Sequence, residues 1–120
     1  GVANCEIRIE SDYRSTLGYT IKPKLQIRGE MPFLRQVERT FHQHGIHSHI
    51  RAIESKLRQK PILTISRISS LKTIVDMVPS AYFDARNQWP DFRTVVEIMC
   101  NKRHLTLEGL DEILKIKGLI

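Results

Sequence analysis

The sequence predicts an α+β fold in which helices cover one face of a single four-stranded antiparallel sheet. Four short segments alternate apolar and polar residues, and the segments that follow each pair repeat apolar residues at helical spacing. The length agrees with this arrangement, because 120 residues suffice for one hydrophobic core but are short for two. We therefore expect residues 1–120 to form one domain.

The first two strands are predicted in residues 5–10 and 19–28. In the first strand Cys5, Ile7 and Ile9 alternate with polar residues, as expected for a strand with one buried face. In the second strand the even-numbered residues are polar or cationic, and most of the odd-numbered ones are apolar. Residues 11–18 between them are polar and end in glycine, which is typical of a hairpin loop.

The next segments predict a helix and a second strand pair. Pro32 suits the first turn of a helix over residues 33–44, and Gly45 suits the position just after its C-terminus. The expected buried positions of this helix are Phe33, Leu34, Val37 and Phe41. Residues 46–54 and 61–67 then alternate as strands, and a basic turn at residues 56–60 joins them.

Three helices are predicted in the remainder of the chain. Ser69 or Ser70 is expected to cap the first, which ends at Pro79; Pro90 opens the second, and Thr106 caps the third. Their predicted buried positions are Leu71, Ile74, Val75 and Val78, then Phe92, Val95, Val96 and Met99, and finally Leu107, Leu110, Ile113 and Leu114. Trp89, just ahead of the second, is expected to anchor the core.

The net charge of +6 favours a polyanionic partner, with nucleic acid ahead of a membrane surface. No apolar run approaches the roughly 20 residues that span a bilayer, and no signal-peptide pattern is present. We therefore expect an intracellular protein, in cytoplasm, nucleoid or organelle, that does not act at a membrane. Cys5 and Cys100 are expected to be small buried hydrophobic residues. Because the chain does not begin with Met, we expect it to be cut from a longer one.

If the helices cover one face of the sheet, the polar residues of all four strands share the other face. These residues are Glu6, Arg8, Glu10, Lys22, Lys24, Gln26, Arg28, His47, His49, Arg51, Thr64 and Ser66. Such side chains reach phosphates and base edges, so this face predicts a double-stranded DNA partner. A solvated face without a partner is the alternative. The basic loop residues expected to add contacts are Arg14, Lys56, Arg58 and Lys60.

Three stretches resemble the LAGLIDADG homing endonucleases. Residues 90–117, PDFRTVVEIMCNKRHLTLEGLDEILKIK, are similar to the C-terminal helices of this family and their N-K-x-H-L-T-x-E-G-L turn. LGYTIKPKLQI, residues 17–27, resembles the second strand, and FLRQVERTFHQHGI, residues 33–46, resembles the middle helix. The resemblance covers all but the first few residues, and it implies a sheet curved as a saddle on DNA. It also implies a homodimer or a second repeat in a longer chain, with an intron or intein as host.

For catalysis, the resemblance implies an acidic residue at the end of a signature helix that holds Mg²⁺, which activates water for phosphodiester hydrolysis. Here GVANCE stands at the tail of that motif, and most of the helix is missing. Anchoring the motif on Gly1 assigns the acid to Glu6, whereas anchoring it on the strand assigns Asn4 or Cys5. In the region of the catalytic lysine of the family the nearby cation is Arg86, and arginine does not carry protons as lysine does. Both departures predict a degenerate or incomplete catalytic centre.

Two other clusters have structural interpretations. His42 and His44 flank the predicted helix end and His47 and His49 share a strand face, so four convergent zinc ligands are not expected. The acidic residues at the start of the last helix, Glu108, Asp111 and Glu112, suit the positive end of the helix dipole.

The sequence thus predicts a DNA-binding domain of the LAGLIDADG type that grips duplex DNA with its sheet and whose cleavage is expected to be lost. One alternative is an active Mg²⁺-dependent, site-specific DNA endonuclease, with Glu6 as catalytic residue and metal ligand. A second alternative is an RNA-binding, maturase-like or protein-interaction domain that reuses the fold.

Overall fold

A computed structural model of the chain describes residues 2–52, 60–78 and 89–120. In this part of the chain the strands and helices follow the predicted order, with a short 3₁₀ helix (Arg103–Leu105) before the last α-helix. The elements are β1 (Val2–Ser11), β2 (Tyr19–Arg28), α1 (Met31–Gln43), β3 (His49–Arg51), β4 (Ile62–Ile65), α2 (Ile68–Met77), α3 (Trp89–Cys100) and α4 (Leu107–Ile116). The predicted α+β class is confirmed.

The four strands form one antiparallel sheet in the order β1-β2-β4-β3. β1 and β2 pair along their full ten residues, from Ser11 opposite Tyr19 towards the other end of the hairpin. β4 pairs with only the last four residues of β2, and β3 pairs with β4 over three residues. The sheet is therefore a long two-stranded ribbon, widened to four strands at one end.

The core lies between the helices and one face of the sheet. From β4, Leu63 and Ile65 are fully buried, and the helices contribute fully buried residues such as Leu34, Leu71 and Ile113. Trp89 is also fully buried and stacks on Phe92 with ring centroids 5.9 Å apart, so its expected anchoring role is confirmed. Because the odd-numbered residues of β1 and β2 face this core, their even-numbered residues are left on the opposite face.

Helix α1 ends in the way that the sequence predicts. Gly45 has a φ of +74°, a left-handed conformation that glycine adopts at little cost. Its N–H donates to the carbonyl of His42 at 3.0 Å, and the N–H of Ile46 donates to the carbonyl of Phe41 at 2.9 Å. These two bonds form a Schellman motif, which satisfies carbonyls that the helix end would leave without partners.

The predicted strand over residues 46–54 is too long, since residues 46–48 and 52 lie outside β3 (His49–Arg51); residues 53 and 54 lie outside the described part of the chain. His47 lies ahead of the strand, where its backbone N–H donates to the hydroxyl of Ser70 at 2.9 Å. That bond also corrects the predicted helix cap: Ser70 is buried inside α2, and the residue at the N-cap is Arg67. Ser70 therefore ties α2 to the chain entering β3, and His47 lies outside the strand.

Several predicted buried positions are wrong. Leu107 is 87% exposed, because it occupies the first position of α4 and points away from the core. Phe33 is also exposed, and Cys100 is exposed whereas Cys5 is buried. In α3 the fully inward position near the C-terminus belongs to Ile98, and Met99 is partly buried.

The predicted helix end at Pro79 lies outside the described residues. Among the helices that the structure describes, none has the length and apolar character needed to cross a membrane.

Candidate nucleic-acid interface

Strand register brings the predicted polar residues together on the face of the sheet that the helices leave uncovered. Between β1 and β2, Glu6 lies opposite Lys24, and Arg8 lies opposite Lys22. Across β2, β4 and β3, Gln26, Thr64 and His49 form one row, and Arg28, Ile62 and Arg51 form the next. We call this surface the polar face; it consists of Glu6, Arg8, Glu10, Lys22, Lys24, Gln26, Arg28, His49, Arg51, Ile62, Thr64 and Ser66. It contains every sheet residue predicted to bind DNA except His47.

Most of the polar face lines one depression with a volume of about 560 Å³. The predicted DNA-binding residues in its lining are Arg8, Lys22, Lys24, Gln26, His49, Arg51, Thr64 and Ser66. Ile62 forms part of its floor and is only 5% exposed, although it lies between Arg28 and Arg51. The lining of this groove therefore combines cationic, hydrogen-bonding and apolar side chains with the carboxylate of Glu10.

The β1–β2 half of the polar face is ion-paired. The ammonium of Lys22 lies 3.1 Å from a carboxylate oxygen of Glu10, and the guanidinium of Arg8 lies 3.3 Å from the other oxygen of Glu10. Glu6 lies 3.5 Å from Lys24 and 3.8 Å from Arg8. The hydrogen bond from Lys22 is the main reason that the pKa of the Glu10 carboxyl falls below its usual value.

The β2–β4–β3 end differs in charge. Its paired rows hold Gln26, Arg28, Thr64, His49 and Arg51, and no carboxylate. Over the whole polar face, five Lys and Arg residues stand against two Glu residues, which leaves a net charge of +3. The net positive charge of the polar face is therefore concentrated where the sheet has four strands.

Two predicted contact residues lie in loops. Arg14 is at the exposed tip of the β1–β2 hairpin, where its Nε lies 3.3 Å from a carboxylate oxygen of Asp12. The same carboxylate group accepts hydrogen bonds from the backbone N–H of Arg14 and the hydroxyl of Thr20, which lower the Asp12 pKa. Lys60 is exposed and lies 3.8 Å from Glu30. Lys56 and Arg58 lie outside the described residues.

His47 lines a different pocket, on the helix side of the molecule. This pocket has a volume of about 480 Å³, and its lining includes Glu38, Arg39 and His42 from α1. Because β3 begins only at His49, the predicted pairing of His47 with His49 on one strand face does not form.

One exposed residue of the polar side was missed. Asn4 lies opposite Gln26, so strand pairing places it beside the row of Thr64 and His49. The alternation that begins at Cys5 could have been extended backwards to find Asn4, since β1 starts at Val2. An amide at this position adds another donor and acceptor to the surface.

The described residues do not fit a magnesium site. They contain no group of three or more His, Cys, Asp or Glu side chains that could hold a metal ion. Glu6, the predicted ligand, is the fifth residue of β1, and its carboxylate is held by Lys24 and Arg8 on the sheet surface. A divalent ion prefers several converging oxygen ligands, and one carboxylate beside two cations does not supply them.

Comparison with known proteins concerns the fold, since no protein-family model and no curated protein matches the sequence. The homing endonuclease I-TnaI is 21% identical with a TM-score of 0.76, over 97% of this chain and 78% of that one. An archaeal intron-encoded homing endonuclease complexed with DNA is 16% identical with a TM-score of 0.77, over 95% and 71%. The LAGLIDADG meganuclease I-CpaMI, bound to uncleaved DNA, is 21% identical with a TM-score of 0.74, over 96% and 40%.

Proposed function

We propose that this chain, which has the LAGLIDADG homing-endonuclease fold, binds double-stranded DNA through its polar face. The observation that carries the proposal is the grouping of cationic, amide and hydroxyl side chains along one groove of the sheet. These groups pair with phosphate oxygens and base edges, and a positive groove attracts a polyanion. That several solved structures of this fold contain DNA supports the choice of partner.

The dimensions of the sheet agree with a duplex. A ten-residue strand extends about 34 Å, which is close to one helical turn of DNA. A two-stranded ribbon fits a major groove about 12 Å wide. The β1–β2 ribbon can therefore follow the groove for about one turn, while the wider end of the sheet contacts the flanking backbone.

Each kind of side chain has a distinct role in this proposal. Arg28 and Arg51 reach phosphates or the acceptors of guanine, and Gln26 matches the donor and acceptor of adenine. Thr64 and Ser66 hydrogen-bond to either bases or phosphates. His49 adds a ring nitrogen to the row that Gln26 and Thr64 form.

We propose binding without cleavage for this chain by itself. Hydrolysis of a phosphodiester by this class of enzyme needs Mg²⁺ held by converging carboxylates. Of the three positions that the motif suggests, Asn4, Cys5 and Glu6, only Glu6 carries a carboxylate. Its carboxylate is occupied by Lys24 and Arg8. Incubation of plasmid DNA with the chain and Mg²⁺ should therefore give no discrete cut, and a defined product would restore the endonuclease alternative.

We further propose that two such sheets act together, in a homodimer or through a second repeat in a longer chain. One sheet covers about one turn of DNA, and two sheets side by side would cover two adjacent half-sites, as in other symmetric DNA-binding proteins. The match to this chain covers 40% of the I-CpaMI chain. The rest of that protein is long enough for a second unit of the same size.

Equilibrium binding to fluorescent duplexes of mixed sequence, measured at several salt concentrations, tests the DNA-binding proposal. The variant Lys22→Ala/Lys24→Ala/Arg28→Ala should weaken binding. The loss of Arg28, which has no carboxylate opposite it in the sheet, should flatten the log–log salt dependence by about 0.9 for each phosphate that is no longer neutralised. Arg35→Ala is the matched control, because Arg35 is an exposed cation on α1 with its own partner Glu38.

The outcomes separate the alternatives. Equal losses in the triple variant and the control, after allowance for the number of charges removed, would show that the polar face has no special role. Salt-independent binding would contradict a phosphate contact of any kind. Preference for structured RNA over duplex DNA in competition would favour the RNA-binding alternative.

A further inference from the structure

We propose that Glu10 and Glu6 are specificity determinants of the polar face, because they hold Arg8, Lys22 and Lys24 over the sheet and penalise contacts to phosphate. This inference rests on the proposed DNA-binding function and assigns a role in recognition to the two carboxylates of the polar face. Two carboxylates among the cations lower non-specific affinity and leave sequence-dependent contacts to decide binding.

Strand register creates a conflict that Glu10 resolves. Arg8 and Lys22 lie directly opposite each other, and like charges in this arrangement repel. Glu10 contacts both, at 3.3 Å from Arg8 and 3.1 Å from Lys22, with a separate oxygen for each. The two cations are therefore drawn towards one carboxylate instead of diverging to the two sides of the ribbon.

Glu6 completes the network at the next position along β1. It lies opposite Lys24, which is the least exposed of the three cationic side chains at 24%, and it also contacts Arg8. The resulting chain of ion pairs runs Lys24, Glu6, Arg8, Glu10, Lys22. Each of the three cations thus has a carboxylate partner before any DNA arrives.

These partners change what the cations do near DNA. A phosphate must compete with a carboxylate for each ammonium or guanidinium group, and the carboxylate itself repels the phosphate. On the floor of the major groove the same carboxylate can accept a hydrogen bond from the amino group of cytosine, while Lys or Arg donates to guanine. The network therefore favours a position over base edges of suitable sequence and disfavours a position along the backbone.

The four-stranded end of the sheet has a different role from the ion-paired half. Among the described residues of the sheet, no carboxylate lies opposite Arg28, so this cation can supply sequence-independent attraction. The ion-paired half contributes discrimination, and the four-stranded end contributes binding strength.

The test compares the wild type with Glu10→Gln and with Glu6→Gln/Glu10→Gln. Each protein selects bound sequences from a randomised duplex pool, and its affinity is then measured for a selected duplex and for mixed-sequence duplex at several salt concentrations. Glu38→Gln is the control, because it removes one carboxylate from an ion pair on α1, away from the polar face. Gln keeps the size of Glu, and both positions are partly exposed, so the variants should fold.

We expect Glu10→Gln to bind mixed-sequence duplex several-fold more tightly and to steepen the salt dependence by about 0.9 for each additional phosphate that the protein neutralises. The ratio of the affinity for the selected duplex to that for mixed-sequence duplex should fall. The selected sequences should also show weaker base preferences at each position. In a Lys22→Gln background, Glu10→Gln should change the affinity for mixed-sequence duplex less than it does in the wild type. The reason is that one of the cations that Glu10 holds is already absent.

Three results would overturn the inference. Equal changes in Glu10→Gln and Glu38→Gln would show an effect of net charge alone. An unchanged affinity ratio in the Gln variants, with salt-dependent binding by the wild type, would contradict the specificity role and leave the proposed function standing. Absence of duplex binding by the wild type would overturn both the specificity role and the proposed DNA-binding function. Measuring the wild type first distinguishes this outcome from the other two.

Discussion

Individual side chains on the polar face take their properties from the residues opposite them. Lys22 and Lys24 have the same charge and lie two residues apart, yet Lys22 is 56% exposed beside Glu10, and Lys24 is less exposed beside Glu6. Ile62 is buried between two arginines because β4 lies inside the sheet. The exposure and ion pairing of these residues therefore depend on their cross-strand neighbours as well as on their own type.

The two cysteines provide a test at the scale of single residues. Burial raises the pKa of the Cys5 thiol to about 11, and Cys100 is exposed. Because the thiolate is the reactive form, a brief treatment of the folded protein with iodoacetamide near pH 8 should modify Cys100 and leave Cys5 unmodified. Peptide mass spectrometry measures the labelling, and denaturant should make both cysteines react.

The variant Cys100→Ser provides the control, since its folded form should take up almost no label. Comparable labelling rates for Cys5 and Cys100 in the folded protein would show that β1 does not pack as described.

The start of helix α4 is determined by hydrogen bonding and packing among residues close together in the sequence. Thr106 is its N-cap, and the hydroxyl of Thr106 accepts a hydrogen bond from the N–H of Gly109 at 3.0 Å. Gly109 itself is required by packing, because a Cβ there would overlap the carbonyl oxygen of Arg103. The 3₁₀ helix and α4 are therefore joined in one compact corner, with Thr106 between them.

Thr106→Ala should lower the free energy of unfolding by about 1 kcal/mol, since the N–H of Gly109 loses its partner. Urea denaturation followed by circular dichroism measures the loss. Thr106→Ser retains the hydroxyl and should stay close to the wild type. If serine destabilised the protein as much as alanine did, the threonine methyl rather than the cap would be responsible.

The whole molecule presents a surface longer than it is wide. β1 and β2 extend for ten residues, and the four-stranded end adds width and most of the net positive charge of the polar face. The depression on this surface is lined by residues from all four strands, and the helices pack on the other face. This geometry suits a long polyanion better than a small ligand.

Dependence of affinity on duplex length tests that geometry. For one sheet, affinity should rise with duplex length and level off near one helical turn, about 10 base pairs. If two sheets act together, the plateau should move to about two turns, and sedimentation should show two copies on each duplex. Affinity that grows without a plateau would indicate non-specific coating of the DNA, whereas no dependence on length would point to binding at the ends.

The sequence by itself determined the features that depend on local spacing. Alternation identified the four strands and most members of the polar face, but it wrongly added His47 and missed Asn4. Helical periodicity identified α1 to α4, and Gly45 and Thr106 marked helix ends correctly. These succeeded because side-chain direction in a strand or helix repeats with a fixed period, and because capping involves neighbours within a few residues.

Only the tertiary structure decided which residues meet across the chain. The register that places Glu6 and Glu10 among three cations joins residues more than ten positions apart. The bond from His47 to Ser70 spans 23 positions and lies just ahead of β3. The exposure of Leu107 and Cys100 likewise follows from how α3 and α4 pack. The physical reason is common to all three: periodicity gives the direction of a side chain, and only the packing of distant segments gives its partner.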